Sequence, residues 1–204
     1  MLKAIDESVS RVFTVMQSYS RPWAFAGGWA VDLFARKCTR PHADFDIAVF
    51  REDQEQLRAV FAGWHFSKAV GGRLETWEGD ERLALPVHEL HAIGPEPQQP
   101  RIEFLLNERS GPAWQYRRNP AITLAVDRAI VKRGLVPLLA PEIVLLFKSK
   151  APRPTDDQDF TTLLPLLVED QRDWLRAALT AMSPAHPWLD DPRLTVVQKR
   201  RLSQ

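Results

Sequence analysis

The sequence predicts an α/β (α+β) chain in two parts. An N-terminal domain over residues 1–140 mixes strands and helices, and a helical domain follows over 141–204. Three observations carry this. The first is a Gly-Gly turn that opens a helix and leads to a strand holding two aspartates. The second is alternation of helical and strand periodicity through the first two thirds of the chain. The third is a change of character at Pro141, after which the apolar spacing is helical throughout.

The central stretch is Gly27-Gly28-Trp29-Ala30-Val31-Asp32, followed by Thr39-Arg40-Pro41-His42-Ala43-Asp44-Phe45-Asp46-Ile47-Ala48-Val49-Phe50. A short apolar run ends at the two glycines, which let the backbone approach a ligand closely. Residues 29–36 form helix well. A helix opened by glycines directs free N–H groups at whatever lies ahead of it and favours phosphate. In the following strand Phe45, Ile47 and Val49 alternate with Asp44, Asp46 and Ala48, so the two carboxylates share a face. Carboxylates side by side are costly without a cation between them. An oxygen-only set favours Mg²⁺, completed by water and substrate phosphates. Phosphate turn and carboxylate pair together read as a nucleoside triphosphate site.

These residues resemble the polymerase-β-type nucleotidyltransferase superfamily, and within it the small aminoglycoside and lincosamide nucleotidyltransferases. The resemblance rests on Gly-Gly-Trp-Ala-x-Asp and on Thr-Arg-x-His-x-Asp-x-Asp. It implies a short mixed β-sheet nucleotidyltransferase core with a C-terminal helical domain. It implies that Gly27 and Gly28 hold the triphosphate, that Asp44 and Asp46 bind Mg²⁺, and that a later strand brings a third carboxylate. Many members have Gly-Ser in the turn; this chain has Gly-Gly, which removes a hydroxyl contact and keeps the backbone donors.

Composition bounds the rest. The chain has 204 residues, 45% hydrophobic, enough for a sizeable core. A formal net charge of +1 gives no electrostatic case for bulk binding to nucleic acid or membrane. The single cysteine, Cys38, permits no intramolecular disulfide and is read as structural. Asp6 and Glu7 interrupt the N-terminal stretch where a secretory signal would be apolar. The longest apolar runs are too short to span a bilayer. A cytoplasmic location is expected.

Residues 5–19 place Ile5, Val9, Val12, Phe13 and Met16 at helical spacing, and Arg21-Pro22 ends that helix. A strand leads to the glycine turn. Arg40 and His42 flank the carboxylates and suit a triphosphate or leaving pyrophosphate, Arg40 through paired bonds to phosphate oxygens; His42 reads equally as a satisfied turn residue. Asp32 is read as half of an i,i+4 pair with Arg36. Residues 54–61 form a second helix. Gly71-Gly72 marks a hairpin. Residues 83–93 are strand-like and hold His88, Glu89 and His91. Pro86 and the strand pattern argue against a helical His-x-x-His zinc motif there.

Residues 101–108 form the strand that carries Glu103, a charge in an apolar setting that calls for a partner. The resemblance gives Glu103 the third carboxylate's role, as metal ligand or as general base; Glu89 is the competing candidate. Residues 114–119 form either a wall of the acceptor pocket or a cap on the sheet edge. Residues 129–133 and 135–139, joined by Gly134, read as a hairpin. Pro141 suits a helix start. Thr155 is expected to cap the next helix, with Asp156 and Asp157 in its first turn. The resemblance takes Lys148 to the triphosphate and gives Asp156 and Asp159 the helix–loop junction. The last helix spans 171–182, Trp188 and Leu189 fold the tail back, and the basic stretch 196–202 frays.

The expected activity is Mg²⁺-dependent nucleotidyl transfer, in the first instance adenylyl transfer, from ATP or another nucleoside triphosphate to a hydroxyl of a small molecule such as an aminoglycoside-like antibiotic. Alternatives are a protein-modifying nucleotidyltransferase of the toxin–antitoxin kind and a nucleotide-binding relative without turnover.

Overall fold

The computed structural model describes residues 2–194. The basic stretch 196–202 lies outside them. The chain divides into two compact units, Met1–Ala140 and Pro141–Gln204.

The first unit opens with helix α1, Leu2–Met16, whose Val9, Val12 and Met16 fall on one buried stripe. Strand β1, Trp23–Phe25, leads into helix α2, Gly27–Ala35, and strand β2, Phe45–Phe50. Helix α3, Gln54–Val60, is followed by the hairpin of β3, His65–Val70, and β4, Arg73–Thr76. Next come β5, Glu89–Ile93, and β6, Ile102–Ser110. Within 83–93, strand pairing begins only at Glu89; residues 83–88 are turns and irregular backbone. Strands β7, Ala113–Tyr116, and β8, Asn119–Ala125, form a second hairpin. A helical turn, α4, Val126–Ala129, precedes β9, Ile130–Arg133, and β10, Val136–Leu139.

Ten strands pair in the order β4-β3-β5-β6-β2-β1-β10-β9, with β7 joined to the end of β6 and β8 to β7. The sheet is mixed. β2 runs parallel to β6 and β1 parallel to β10, and the other pairings among the described residues are antiparallel. Period-two alternation assigns the faces. Ile47 and Val49 of β2, Leu90 and Ala92 of β5, and Ile102, Phe104 and Leu106 of β6 enter one core, together with Val12 and Met16 of α1, Trp29 of α2 and Leu57 of α3. Burial of each Val, Leu, Ile, Phe or Met side chain among them stabilises the fold by about 1.5–3 kcal/mol. The intervening positions of β2, β6 and β5, among them Asp46, Glu103, Glu89 and His91, lie on the other face.

Residues 114–119 belong to the second hairpin. Trp114 and Tyr116 are buried, and Trp114 Nε1 donates to Asn107 Oδ1 at 2.9 Å.

The second unit holds helices α5, Pro141–Lys148, α6, Pro154–Leu163, and α7, Glu169–Met182. Pro154 occupies the first turn of α6, so Thr155 is not its cap. The helix begins after Arg153, whose backbone N–H donates to Asp156 Oδ2 at 3.0 Å. Trp188 stacks on Phe160 at 4.3 Å between ring centroids and donates Nε1–H to Asp157 Oδ1 at 2.8 Å.

Candidate active site

The glycine turn is built by close approach. Gly27 has φ +52°, left-handed backbone open to glycine, and a Cβ there would collide with Asp46 Oδ2. A Cβ on Gly28 would meet the His42 ring and the Arg40 guanidinium. The two glycines are thus the contact surface for the three polar side chains expected around a triphosphate. Ala26, extended at φ −127°, donates its N–H to the Asp46 carbonyl at 2.8 Å and accepts from Ala30 N–H at 2.9 Å. The helix behind it starts with N–H groups that have no partner within the helix.

Trp29 ties the helix to the carboxylate strand. Its Nε1–H donates to the Asp44 carbonyl at 2.9 Å, and its ring stacks on Phe45 at 4.7 Å. β2 begins at Phe45, so Asp44 occupies the exposed bend just before it. Asp32 does not serve the helix surface. It is buried, and one oxygen accepts from Thr39 N–H at 3.1 Å and from the Thr39 hydroxyl. The other lies 2.8 Å from His42 Nε2. Asp32 therefore shapes the loop that presents Arg40 and His42. Sequence spacing pointed to Arg36 as its partner; that residue instead terminates the helix in left-handed backbone at φ 54°.

Asp46 and Glu103 stand opposite each other in the parallel β2–β6 register. Glu103 also faces His91 across the antiparallel β5–β6 pair, with His91 Nδ1 4.0 Å from Glu103 Oε2. Burial first, then the charges of Asp46, Glu89 and Asp44, push the Glu103 pKa up to about 8. Glu89 is held below the usual carboxylate range, chiefly by its hydrogen bond with His88, 3.1 Å away. Sequence reasoning treated Glu89 and Glu103 as rivals; the register brings both together with His91. The shared face was visible as alternation within each strand, but the pairing that aligns the strands was not. The charges of Asp46, Glu89 and Asp44 all act on Glu103, and the repulsion it feels is of the kind a bound cation relieves.

Lys148 sits in the helical unit. Its Nζ is 2.9 Å from Asp156 Oδ1 and 2.8 Å from Asp159 Oδ2, and both carboxylates are buried.

A family model, aminoglycoside-2''-adenylyltransferase, matches residues 8–82, the stretch that contains the glycine turn and both aspartates. The solution structure of the antibiotic-resistance factor ANT(2'')-Ia superposes with a TM-score of 0.58 at 16% identity, over 91% of this chain and 96% of that one. The chain carries the nucleotidyltransferase fold. A crystal structure of ANT(2'')-Ia with adenylyl-2''-tobramycin gives 0.56 at 16% identity, over 87% and 98%. The lincosamide antibiotic adenylyltransferase LnuA, bound to lincomycin, gives 0.53 at 16% identity, over 79% and 97%. A search of curated proteins by sequence gives no significant match. The nucleotidyltransferase resemblance read from the motif thus has a counterpart in the fold, and the neighbours that share it are enzymes. Among the described residues no helix is long and apolar enough to cross a membrane.

Proposed function

We propose that this protein is a metal-dependent nucleotidyltransferase that moves a nucleoside monophosphate, AMP in the first instance, from a triphosphate to a hydroxyl of an aminoglycoside-like or lincosamide-like small molecule. One observation carries the reading: Gly27 packed on Asp46, with Glu103 opposite, joins a glycine turn at a helix start to a crowded carboxylate set. The adenylylated tobramycin held by one structural neighbour and the lincomycin held by another support the acceptor class.

Asp44, Asp46 and Glu103 would hold Mg²⁺, which neutralises the triphosphate and the leaving pyrophosphate when bound. The backbone N–H groups at Gly27 and Gly28 orient the β- and γ-phosphates. Arg40 and His42 sit against the same turn and compensate the charge released on pyrophosphate. Glu103 takes the proton of the acceptor hydroxyl, and a cation held beside it would keep its carboxylate ionised for that role. The acceptor oxygen bonds to the α-phosphorus as the bond to the bridging β-phosphate oxygen breaks. Lys148, already compensated by two carboxylates, is assigned to the α5–α6 junction.

The deciding experiment is pyrophosphate release with Mg²⁺, each of the four nucleoside triphosphates, and a panel of aminoglycosides and lincosamides. Release that requires one drug, with adenylyl transfer to that drug by mass spectrometry, is the expected result. Nucleotide binding with silence across the panel would overturn the acceptor assignment and turn the search to a protein hydroxyl. Absence of nucleotide binding would overturn the reaction.

A further inference from the structure

Glu103 has two neighbours across the sheet, and only one belongs to the proposed magnesium set. On the side away from Asp46 stand His91, directly opposite in the register, and Glu89, two residues earlier on the same strand and so on the same face. One ligand atom from each of Glu89, His91 and Glu103 lies within 4.8 Å of the others. We propose that these three side chains form a second cation site, distinct from the Asp44–Asp46 pair, that takes a divalent transition ion of the Zn²⁺ class.

The donor chemistry sets the class. Mg²⁺ selects oxygen, whereas an imidazole beside two carboxylates suits Zn²⁺ and its first-row neighbours. The geometry allows it. An ion with bonds of about 2.1 Å holds its ligand atoms roughly 3–4 Å apart, and His91 Nδ1 is already 4.0 Å from Glu103 Oε2. Rotation of exposed side chains closes the remainder. Access is open, since the Glu89 and His91 side chains are 36% and 33% exposed, while Glu103 at 18% forms the floor.

A second observation points the same way. Glu89 is oriented from behind: His88 Nε2 is 3.1 Å from Glu89 Oε1, and His88 Nδ1 is 2.7 Å from the Pro86 carbonyl. A ligand carboxylate fixed by a partner outside the ligand set is the usual arrangement around protein-bound metals. Shared use of Glu103 would leave the two sites on adjacent strand pairs of one sheet. This inference goes beyond the transfer reaction and does not need it, because the ion binds without nucleotide.

The test is calorimetric titration of the metal-free full-length protein with Zn²⁺ in the absence of nucleotide, repeated on His91→Ala, Glu89→Gln and Asp46→Asn. Circular dichroism and thermal melts of each variant first establish that it is folded. One equivalent of Zn²⁺ is expected, with affinity weakened about tenfold or more in His91→Ala and in Glu89→Gln, and held within about threefold in Asp46→Asn. Addition of millimolar Mg²⁺ should leave the Zn²⁺ isotherm in place. Binding unchanged by His91→Ala, or lost only in Asp46→Asn, would overturn the site by showing that Zn²⁺ enters the magnesium set. No saturable binding to the folded protein would overturn it outright.

Discussion

Asp46 and Glu103 face each other across the parallel pair β2–β6, and Gly27 closes over the Asp46 carboxylate from the other end. A nucleotide-free protein holds this arrangement at an electrostatic cost. Asp46→Asn should lower metal-dependent transfer by a factor of at least 10² while leaving the melting temperature unchanged or raised. Full turnover by a folded Asp46→Asn protein, measured as pyrophosphate release, would end the assignment.

Glu103 links that cost to pH. Its pKa rises from an ordinary 4.5 to about 8 on folding, so between those values the folded state keeps a proton that the unfolded state has lost. Below pH 4.5 both states are protonated and no penalty exists; as pH rises toward 8 the metal-free fold progressively loses stability. Glu103→Gln removes this dependence. In chelator, its advantage in unfolding free energy over the parent should grow from near zero at pH 5 to roughly 2 kcal/mol at pH 9, after allowance for partial solvation. Transfer should fall by 10²–10⁴ in the same variant. Parallel melting curves across pH would show that Glu103 titrates normally.

Gly27→Ala tests the close approach. The left-handed backbone alone costs about 1–2 kcal/mol for a residue with a Cβ, and the added methyl must displace Asp46. Urea denaturation should register that loss, and nucleotide affinity should drop tenfold or more. Nucleotide binding equal to the parent's would contradict the cradle.

Asp32→Ala should act through the loop it holds. Loss of the bonds to Thr39 and His42 is expected to cost about 1.5–3 kcal/mol, the range for hydrogen bonds to a charged group. Because Arg40 and His42 lose their support, KM for the triphosphate should rise more than kcat falls. An unchanged KM would detach Asp32 from the site.

Lys148 separates two roles. Burial opposes ionisation of Asp156, yet its bonds with Arg153 and Lys148 hold it well below the usual range, and that stability is present above about pH 4 and lost in more acid solution. Lys148→Met removes the ammonium held between two buried carboxylates and should cost about 3–5 kcal/mol, read from chemical denaturation. A well-folded Lys148→Met protein with a raised KM for nucleotide would instead return Lys148 to the triphosphate.

The legible part of this protein was whatever is encoded locally. Gly27-Gly28, the alternation around Asp44 and Asp46, and the apolar alternation of Ile102, Phe104 and Leu106 each announce an element within a few residues. Less legible was what depends on the path between elements. The Asp32 partners lie beyond the end of its helix, where spacing gives no register. The meeting of Glu89, His91 and Glu103 depends on which residue of β5 pairs with which residue of β6. β8 is weakly signalled: Ile122 and Leu124 alternate with exposed neighbours, but Pro120, which lacks a backbone donor, interrupts the strand pattern at its start.

The bonds from Ala26 N–H to the Asp46 carbonyl and from the Trp29 indole to the Asp44 carbonyl have a mechanical consequence. They tie the glycine turn, the proposed phosphate cradle, to the stretch that holds Asp44 and Asp46, the proposed metal ligands, at two points. A nucleotide that pulls on the turn therefore pulls on the aspartates. In such a truss, affinity for the triphosphate and affinity for the cation cannot be tuned apart: a lesion that loosens one brace slackens both grips at once.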